Sequence, residues 1–303
     1  MRILIIGSEG FIGSHCVHYF LEKGDIITGL DLFSAPSRDY DYVKVSRLSP
    51  EFEEIFRQKD FDAVINTAGN GNVSYSMTHP LNDFESNCLD TIRILDAIRN
   101  NQPACKYIHL SSAAVYGNPA SLPIKEEHTP GPVSPYGWNK HISEQICKQY
   151  TSIYNVQIAV LRPFSVYGAG LKKQLFWDLY QKYRSASANT SIELFGTGME
   201  SRDFIYVTDV VRAIECIISD GPLNGEVYNI ACGHETTIKD AIHCFWKAYG
   251  EQPAYYFNGK QRAGDPLNWR ADISRLINIG FKTSVSMQEG MEKLTSWIKK
   301  NYS

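Results

Sequence analysis

Short apolar runs alternate with longer amphipathic stretches over the first two thirds of the chain. Strands that are apolar throughout are typical of a parallel sheet that helices cover on both faces. The strand candidates are residues 3–6, 26–30, 42–45, 63–66, 107–110 and 157–161. The helix candidates between them are residues 10–22, 50–59, 81–100 and 135–154. This alternation predicts an α/β fold with a doubly wound parallel sheet.

The alternation becomes irregular after Arg162, where Gly, Ser and Asn become frequent. Residues 203–211 and 227–230 are predicted to return to the sheet as strands, and the tail from about Thr237 is predicted to form a separate lobe. Doubly wound sheets bind ligands beyond the carboxyl ends of their strands. We therefore expect the ligand site in a cleft between the sheet and this smaller C-terminal lobe.

The composition is that of a packed globular chain, with 303 residues of which 43% are hydrophobic and 21% are charged. The 30 basic and 33 acidic residues leave a net charge of -3, and no block of Lys and Arg stands out. A nucleic-acid-binding protein with a basic face is therefore not expected.

The seven cysteines are scattered without a CxxC pair, so neither a zinc site nor a disulfide framework is indicated. The histidines do not cluster with Cys, Asp and Glu at ligand spacing, so no metal is expected. The N-terminal apolar run, residues 3–6, stops at Gly7 and is too short for a signal peptide or a membrane span. These features predict a reduced, cytoplasmic, soluble protein without membrane contact.

A glycine-rich turn, Gly7-Ser8-Glu9-Gly10-Phe11-Ile12-Gly13, follows the first predicted strand. Gly7 permits a tight turn, Gly10 lets a pyrophosphate approach backbone N–H groups, and Gly13 lets the helix lie close to the strand. Asp31 ends the next strand, about 20 residues on, where its carboxylate can accept hydrogen bonds from an adenosine ribose. A carboxylate there repels a 2′-phosphate and favours NAD, while Arg38 nearby keeps NADP open.

Tyr136 and Lys140 have a YxxxK spacing, which puts both side chains on one face of a helix. Only Tyr136 opens a long predicted helix and follows Ser112 at a strand end, although the spacing recurs at Tyr19/Lys23, Tyr40/Lys44 and Tyr256/Lys260. A phenol with a pKa near ~10 is a poor base at neutral pH, and the Lys140 ammonium favours its phenolate. Ser112 can hydrogen-bond the reacting oxygen and relay its proton. The three residues are therefore predicted to catalyse oxidation of a hydroxyl group.

The motifs GSEGFIG, SSAAVYG, YGWNK, LRPFSVYG, RDFIYVTDV and RAGDP follow one another from about Ile3 to Asp272. As a set they resemble the extended short-chain dehydrogenase/reductases and, within these, the NAD-dependent nucleotide-sugar epimerase/dehydratase family. The resemblance implies a Rossmann-like NAD-binding domain over residues 1–166 with return segments at about 203–232. It implies a nucleotide-sugar-binding lobe over residues 167–202 and 233–303.

The resemblance also implies NAD as the cofactor, a nucleotide-diphosphate sugar as the partner, and a homodimer. The dimer is expected to form through the helix around residues 87–100 and the helix that carries Tyr136. Ile142, Ile146 and Ile153 form an apolar stripe on the latter helix. In a monomer the same stripe belongs to the core.

The roles of the family's residues are carried over to the matching positions of this chain. Its Ser/Thr-Tyr-Lys triad corresponds to Ser112, Tyr136 and Lys140. The implied cofactor-binding residues are Gly7, Gly10, Phe11, Ile12, Gly13, Asp31, Ala68 and Asn87, together with Tyr136 and Lys140. The implied substrate-binding residues are Ser112, Ser165, Arg202, Arg262 and Trp269, with Tyr75, Ser76 and Tyr167 lining the sugar pocket.

Three of these residues also have a plainer structural interpretation. Arg202 and Arg262 match arginines that clamp a diphosphate, a role that suits the guanidinium group. Each arginine has a neighbouring aspartate, Asp203 or Asp265, with which a surface ion pair is the alternative. Trp269 favours plain hexoses over N-acetylhexosamines by its size, or is a core residue.

Departures from the family pattern bear on the expected reaction. Ala113 and Ala114 stand where 4,6-dehydratases have the acid and the base for eliminating the C6 hydroxyl, so that reaction is disfavoured. Ser46 and Arg47 replace the usual Gly-Asp that meets the adenine, and Ser165 replaces an Asn that contacts substrate.

The leading hypothesis is NAD-dependent epimerisation of a nucleotide-activated hexose at C4 through a transient 4-keto intermediate. A nucleotide-4-ketosugar reductase or a C4 dehydrogenase is the alternative, since it needs the same groups for half of that cycle. A non-catalytic dinucleotide-binding regulator is a remote alternative, because a fold alone does not imply activity.

Overall fold

A computed structural model describes residues 1–33, 39–46, 52–186, 191–260 and 267–302 of the chain. The strands of its central sheet are β1 (Arg2–Ile6), β2 (Ile26–Asp31), β3 (Asp41–Lys44), β4 (Ala63–Asn66), β5 (Lys106–Leu110), β6 (Ile158–Pro163) and β11 (Asn224–Ile230). All seven are parallel, in the order β11-β6-β5-β4-β1-β2-β3. The predicted doubly wound α/β fold is confirmed, and the six predicted strands lie close to observed ones.

Helices cover the sheet and build the rest of the described chain. They are α1 (Phe11–Glu22), α2 (Phe52–Gln58), α3 (Val73–Thr78), α4 (Pro80–Phe84), α5 (Asp90–Asn101), α6 (Pro135–Tyr154), α7 (Gln174–Ser185), α8 (Val207–Asp220), α9 (Ile238–Tyr249), α10 (Ser274–Asn278) and α11 (Met287–Tyr302). A π-helical turn, Glu85–Leu89, joins α4 to α5, so the helix predicted over residues 81–100 is interrupted. Such turns are frequent at functional sites.

Successive side chains of β1 enter two separate cores, because side chains alternate between the faces of a strand. Ile3 and Ile5 pack with α1 and α8, while Leu4 and Ile6 pack with α2, α5 and α6. Burial on both faces is the reason that the strand sequences are apolar throughout. Since β1 lies between β4 and β2, the strand order reverses there, and ligands bind at the carboxyl ends beside such a reversal.

The strand predicted over residues 203–211 is wrong for most of its length. Only β10 (Phe204–Tyr206) is extended, and it pairs with β7 (Ser165–Tyr167) outside the central sheet. Helix α8 follows at once, and its buried Val207, Val210, Val211, Ile214, Ile217 and Ile218 have helical spacing. Packing of this apolar face against α1 and β1 decides for the helix. Residues 227–230 do return to the sheet, as part of β11.

The C-terminal lobe combines short strand pairs with an aromatic core. β8 (Ile192–Leu194) pairs with β13 (Tyr255–Phe257), and β9 (Ser201–Arg202) pairs with β12 (Thr236–Thr237). Helices α7, α9 and α11 bury a cluster of side chains between them, among which are Phe176, Tyr180, Phe245, Trp246 and Tyr249. The absence of a simple repeating pattern in this part of the sequence follows from this irregular packing.

Other predictions concern features that the fold tests only in part. The seven cysteines are free thiols. The described residues contain no group of three or more His, Cys, Asp and Glu that could hold a metal ion. No helix in the described part of the chain is long and apolar enough to cross a membrane. The cytoplasmic location stays a prediction.

Candidate active site

The glycine-rich turn after β1 is held by contacts that leave no room for side chains. A Cβ on Gly13 would lie 2.0 Å from the Gly7 carbonyl oxygen, and a Cβ on Gly7 would lie 2.9 Å from the Ala68 nitrogen. Gly7 has a φ of 83°, in the left-handed region that glycine favours. Its N–H donates to the Leu30 carbonyl at 2.7 Å. Helix α1 therefore starts directly against β1 and the loop after β4.

Asp31, at the end of β2, is bonded to the same turn. Its Oδ2 accepts the Glu9 N–H at 2.9 Å, and its Oδ1 accepts the Leu32 N–H at 2.6 Å. Because each carboxylate oxygen can accept more than one hydrogen bond, Asp31 can still receive ribose hydroxyls. The predictions that involve Arg38 and Arg47 lie outside the described residues.

The features around the turn fit a dinucleotide. Gly10 is the N-cap of α1 and no side chain caps this helix, so the N–H groups of its first residues, Phe11 and Ile12, can meet a pyrophosphate. A Cβ on Gly10 would meet only the Gly7 carbonyl oxygen, at 3.1 Å, and would occupy the open space above the turn. Asn87 is 2% exposed, and its Oδ1 has no hydrogen-bond partner among the described residues. A buried polar atom of this kind is normally satisfied by a ligand or a water.

Ser112, Tyr136 and Lys140 come together at the carboxyl end of β5. Tyr136 and Lys140 are buried on one face of α6, and Tyr136 lies close enough to the Ser112 side chain for that side chain to lower its pKa. The Lys140 Nζ donates to the Leu110 carbonyl at 2.7 Å, which ties the lysine to the strand end. The structure therefore assembles the three residues that the sequence predicts to act together.

Burial shifts the pKa of both titrating groups of this triad in the direction that disfavours the charged form of each. Burial raises the pKa of Tyr136, the nearby Ser112 side chain opposes that rise, and the negative charge of Asp83 adds to it. Burial lowers the pKa of Lys140 to about 8, and the same Asp83 charge opposes that fall. Lys140 therefore keeps its ammonium at neutral pH, close enough to its pKa to lose it in mild alkali.

Asp83 is a buried carboxylate that the sequence analysis missed. It is 0% exposed, and its two oxygens accept hydrogen bonds from Asn70 Nδ2 at 2.8 Å and Asn139 Nδ2 at 2.7 Å. Asn139 precedes Lys140, so Asp83 connects the loop after β4 to the helix that carries the triad. Asn87 Nδ2 also donates to the Asp83 carbonyl, at 3.0 Å. The one sequence signal was the i, i+4 spacing of Asp83 and Asn87.

A buried ion pair, Arg162–Glu144, lies close to the triad and was also missed. Arg162 donates Nε and Nη2 to the two oxygens of Glu144 at 2.9 and 2.7 Å, and the Ser111 hydroxyl donates to Glu144 Oε1 at 2.5 Å. Burial alone raises the pKa of Glu144, but hydrogen bonds, above all from Arg162, outweigh it and lower this pKa to about 2. Glu144 lies one turn after Lys140, so the pair holds α6 against β5 and β6.

An open cavity of about 570 Å³ extends from Ser112 and Tyr136 to the C-terminal lobe. It is large enough for a ligand of the size of a nucleotide sugar. Four of the predicted substrate-binding residues line it: Ser112, Ser165, Arg202 and Trp269. The prediction for Arg262 lies outside the described residues.

Arg202 and Trp269 lie together on the lobe side of this cavity. The Arg202 Nη1 donates to the carbonyls of Ser201 at 2.8 Å and Leu267 at 3.2 Å, and the guanidinium lies 6.0 Å from the Trp269 ring centroid. Trp269 is 9% exposed, and its Nε1 donates to the Gly117 carbonyl at 3.1 Å. The two interpretations of Trp269 are therefore compatible, because one ring belongs to the core and to the cavity wall.

The Asp203 carboxylate, the alternative partner of Arg202, is bonded to backbone. It accepts the N–H groups of Cys232 at 2.9 Å and Ala271 at 3.0 Å. These hydrogen bonds tie the start of β10 to the segment after β11 and to Ala271 of the lobe, and the carboxylate is buried.

The three residues expected to line the sugar pocket have different positions. Tyr167 lines the cavity, whereas Tyr75 and Ser76 lie outside its wall. Ser76 is 0% exposed, and its Oγ accepts the Tyr136 N–H at 3.1 Å. Its contribution is therefore to hold the start of α6, which the position of Ser76 in the sequence did not reveal.

Comparison with known proteins places these features in a family. Residues 3–231 match the model of the NAD dependent epimerase/dehydratase family. A UDP-glucose 4-epimerase from Mycolicibacterium smegmatis is 27% identical, and the alignment covers 99% of each chain.

Solved structures agree in fold over the whole chain. The UDP-glucuronic acid 4-epimerase from Bacillus cereus, in complex with UDP-glucuronic acid and NAD, has a TM-score of 0.89 at 27% identity and 100% coverage of both chains. The UDP-N-acetylglucosamine 4-epimerase from Methanobrevibacter ruminantium has a TM-score of 0.88 at 26% identity, with 99% and 98% coverage.

These findings confirm the predicted family, the predicted NAD cofactor and the predicted class of activity, that of a nucleotide-sugar epimerase. The family model covers well over half of the chain, and the similarity to whole relatives extends from end to end. The chain belongs to the NAD dependent epimerase/dehydratase family.

Proposed function

We propose that this enzyme epimerises a nucleotide-activated hexose at C4 through a transient 4-keto sugar. The observation that carries the proposal is the position of Ser112 and Tyr136 on the cavity wall, with Lys140 anchored behind them. A hydroxyl, a phenol and an ammonium in this arrangement suit the removal and return of a proton on a hydroxyl oxygen. Ala113 and Ala114 supply no acid or base for elimination, which leaves epimerisation favoured over dehydration.

In the proposed cycle Tyr136 takes the proton of the C4 hydroxyl and later returns it. Ser112 hydrogen-bonds the same oxygen, and the Lys140 ammonium stabilises the phenolate, because a positive charge favours the charged form of a neighbouring acid. NAD held in this site would supply the acceptor, and then the donor, of the C4 hydride. The 4-keto sugar must turn over between the two transfers, and the open cavity of about 570 Å³ leaves space for this.

We propose that NAD binds along the cleft between the glycine-rich turn after β1 and the triad. The proposed binding residues are Gly7, Gly10, Phe11, Ile12, Gly13, Asp31, Ala68 and Asn87, with Tyr136 and Lys140. The start of α1 suits the pyrophosphate, and Asp31 suits a ribose. In this proposal residues 1–166 and 203–232 form the NAD-binding domain, and residues 167–202 and 233–303 form the lobe that binds the nucleotide sugar. Helix α8 packs on the central sheet and β11 is a strand of that sheet. Both observations support the assignment of residues 203–232 to the NAD-binding part.

On the substrate side we propose that Ser112, Ser165, Arg202 and Trp269 contact the nucleotide sugar. Their common position on the cavity wall supports this. A guanidinium matches phosphate oxygens bidentately, which suits Arg202 to the diphosphate, and Arg262 keeps the same proposed role from the sequence. The relatives and structural neighbours act on or bind UDP-sugars, so a UDP-hexose is the first substrate to test.

The experiment that tests this function is proton NMR of the anomeric region during incubation with UDP-glucose and no added cofactor. We expect the signals of the C4 epimer to grow, because a cofactor that is regenerated in each cycle stays bound to the purified enzyme. A panel of other UDP-hexoses, including a uronate and an N-acetylhexosamine, follows under the same conditions.

The same experiment separates the alternatives. If every sugar stays unchanged until NADH, NADPH or NAD is supplied, a 4-ketosugar reductase or a C4 dehydrogenase replaces the epimerase. If the cofactor-supplied panel also stays unchanged, the epimerase proposal fails and the non-catalytic regulator gains support. Measuring NAD released by denaturing the purified protein gives an independent readout of cofactor retention.

We also propose a homodimer that forms through α5 and α6. On α6, Trp138, Ile142 and Ile153 are exposed to 53%, 37% and 61%, whereas Ile146 is buried in the core. On α5, Ile92 is exposed to 39%. A second copy would cover these apolar side chains, as closed two-fold interfaces commonly do. Sedimentation velocity should give a dimer, and a monomer after Ile142→Glu; a monomeric unmodified protein contradicts the proposal.

A further inference from the structure

A lysine that plays no part in the proposed cycle reaches into the cavity from the lobe side. Lys173 lies between β7 and α7 and lines the cavity. Its Nζ lies 3.3 Å from the position that a Cβ on Gly71 would take. Gly71 belongs to the loop after β4, on the side of the cleft that we propose for NAD. The Lys173 ammonium therefore crosses the cleft to a point where the opposite backbone carries no side chain.

The segment that carries Lys173 also contacts the start of α1. A Cβ on Gly170 would lie 3.7 Å from the Phe11 Cδ2, and the Ala169 carbonyl is hydrogen-bonded to the His15 Nε2 at 2.9 Å. Phe11 opens the helix whose N-terminus we propose for the pyrophosphate. Residues 169–173 cover at most about 14 Å when fully extended. Lys173 therefore lies beside the loop after β4, at the end of a short segment whose other end contacts α1.

Lys173 has no counter-charge in the part of the chain that the structure describes. No described carboxylate lies within 4.0 Å of its Nζ, and its pKa is lowered by burial alone, with no acid opposing the fall. The two carboxylates that line the same cavity have other partners: Asp178 pairs with Lys182 at 3.2 Å, and Glu200 accepts the Gly198 N–H at 2.9 Å. An ammonium partly withdrawn from water without a counter-charge is unfavourable, so an anionic ligand group would stabilise it.

The backbone beside Lys173 is strained. Gln174 has a φ of 67°, a left-handed conformation that residues other than glycine seldom adopt. Strain of this kind is concentrated at ligand sites, where the surrounding structure maintains it. The chain therefore keeps Lys173 and Gln174 in position at a local cost in energy.

We propose that Lys173 binds a diphosphate across the cleft, namely the diphosphate of NAD. A lysine binds phosphate oxygens as a point charge on a flexible stem, which suits a contact made from the opposite side of a cleft. The contact makes the C-terminal lobe part of the cofactor site and helps to retain NAD while the sugar turns over. This inference rests on NAD as the cofactor and not on the sugar reaction. The nucleotide sugar carries the same chemical group, so the experiment must separate the two diphosphates.

The experiment is a titration of the full chain after its NAD has been removed. Isothermal titration calorimetry gives the Kd for NAD of the unmodified protein, Lys173→Met and Lys172→Met, and then the Kd for UDP of each. Lys172 is the matched control, because its Nζ lies 5.2 Å from the Tyr302 ring centroid and it does not line the cavity. We expect Lys173→Met to bind NAD roughly ten- to hundredfold more weakly, the range for a hydrogen bond between charged groups, with an unchanged Kd for UDP.

Two further measurements sharpen the result. Raising the ionic strength should weaken NAD binding by the unmodified protein more steeply than by Lys173→Met, since salt screens the charge that the variant lacks. Lys173→Arg should recover most of the NAD affinity, because it restores the positive charge.

Equal NAD affinities of Lys173→Met and Lys172→Met overturn the proposal. A loss confined to UDP overturns it as well, because it assigns Lys173 to the diphosphate of the nucleotide sugar. Thermal melting without ligand checks that each variant is folded, and Lys173→Gln replaces the Met variant if that one is not. The titrations need no turnover, so NAD binding as expected without conversion of any hexose refutes only the proposed function.

Discussion

On the cofactor side of the cleft, backbone contacts backbone; on the lobe side, side chains contact side chains. Gly7 and Gly13 bring α1 against β1 at distances that exclude any Cβ. Across the cavity, Trp269 packs on Phe164 with ring centroids 5.6 Å apart, and Phe176 stacks on Phe245 with ring centroids 5.7 Å apart. The first kind of contact admits only glycine, whereas the second admits any side chains of suitable size and shape.

This difference explains why the cofactor can be inferred from the sequence and the hexose cannot. Close backbone approach restricts residue type at each position, so the turn has a recognisable motif. A cavity wall of large side chains tolerates many combinations that keep its volume, so it leaves no motif. Four substitutions, and the pH dependence of the effect of one of them, test this contrast, from the largest expected effect to the smallest.

Replacing Tyr136 by Phe should lower kcat by about 10²–10⁴-fold, the contribution of a positioned general acid–base group. Binding of the nucleotide sugar should remain, since the ring and its packing are kept. Rapid-quench turnover and equilibrium binding measure the two effects. Tyr19→Phe is the control, because Tyr19 has the same spacing to Lys23 but bonds to Glu215 instead of a cavity group. Equal losses in both variants would contradict the assignment of Tyr136.

Replacing Glu144 by Gln should cost about 3–5 kcal/mol of unfolding free energy at pH 7, because Arg162 is left buried without its counter-charge. The control is Glu289→Gln, which breaks an exposed pair with Lys293 and should cost less than about 1 kcal/mol. Urea denaturation measures both. A cost for Glu144→Gln as small as the control's would show that the buried pair contributes little.

The pH dependence of that cost has a defined sign. The pKa of Glu144 is lowered in the folded state to about 2, below the unfolded value of about 4.3. Its stabilisation is therefore complete above about pH 4.3 and is lost as the pH falls through about 2. The difference between the unmodified protein and Glu144→Gln should shrink over this window; a constant difference would argue against a charge effect.

Replacing Gly13 by Ala should cost about 1–3 kcal/mol of unfolding free energy or prevent folding, because the new Cβ would lie 2.0 Å from the Gly7 carbonyl oxygen. Gly10→Ala is the matched variant, since its Cβ would lie 3.1 Å from the same oxygen. It should leave stability nearly unchanged and weaken NAD binding, because the methyl group occupies the space of the pyrophosphate. Urea denaturation without NAD and NAD titration separate the two effects. Similar free energies of unfolding for Gly13→Ala and Gly10→Ala would contradict the role given to close backbone contact at Gly13.

Replacing Trp269 by Phe should relax discrimination against an N-acetylhexosamine by up to about tenfold, the scale on which pocket size alone separates substrates. The readout is the ratio of kcat/KM for UDP-glucose to that for UDP-N-acetylglucosamine. Trp246→Phe is the control, since Trp246 is buried in the lobe but does not line the cavity. An unchanged ratio in Trp269→Phe leaves this ring a purely structural role.

Much of the cofactor side was predictable from local sequence. The strand β4 and the helix α6 have the predicted bounds, and the triad residues meet where a strand end and a helix start had been expected. The strand over residues 203–211 was mispredicted because a short apolar run suits a strand and a buried helix equally well. Contact with α1, far away in the sequence, decided between them.

The sequence by itself determined the fold class, and it predicted the NAD-binding turn and the grouping of Ser112, Tyr136 and Lys140. These depend on local properties, namely the period of apolar residues, the position of glycines and the spacing along one helix. Only the tertiary structure decided that Arg162 pairs with Glu144, that Asp83 lies beside the triad, and that Lys173 crosses to Gly71. Each of those contacts joins residues distant in the chain, and no local pattern encodes which distant residues meet.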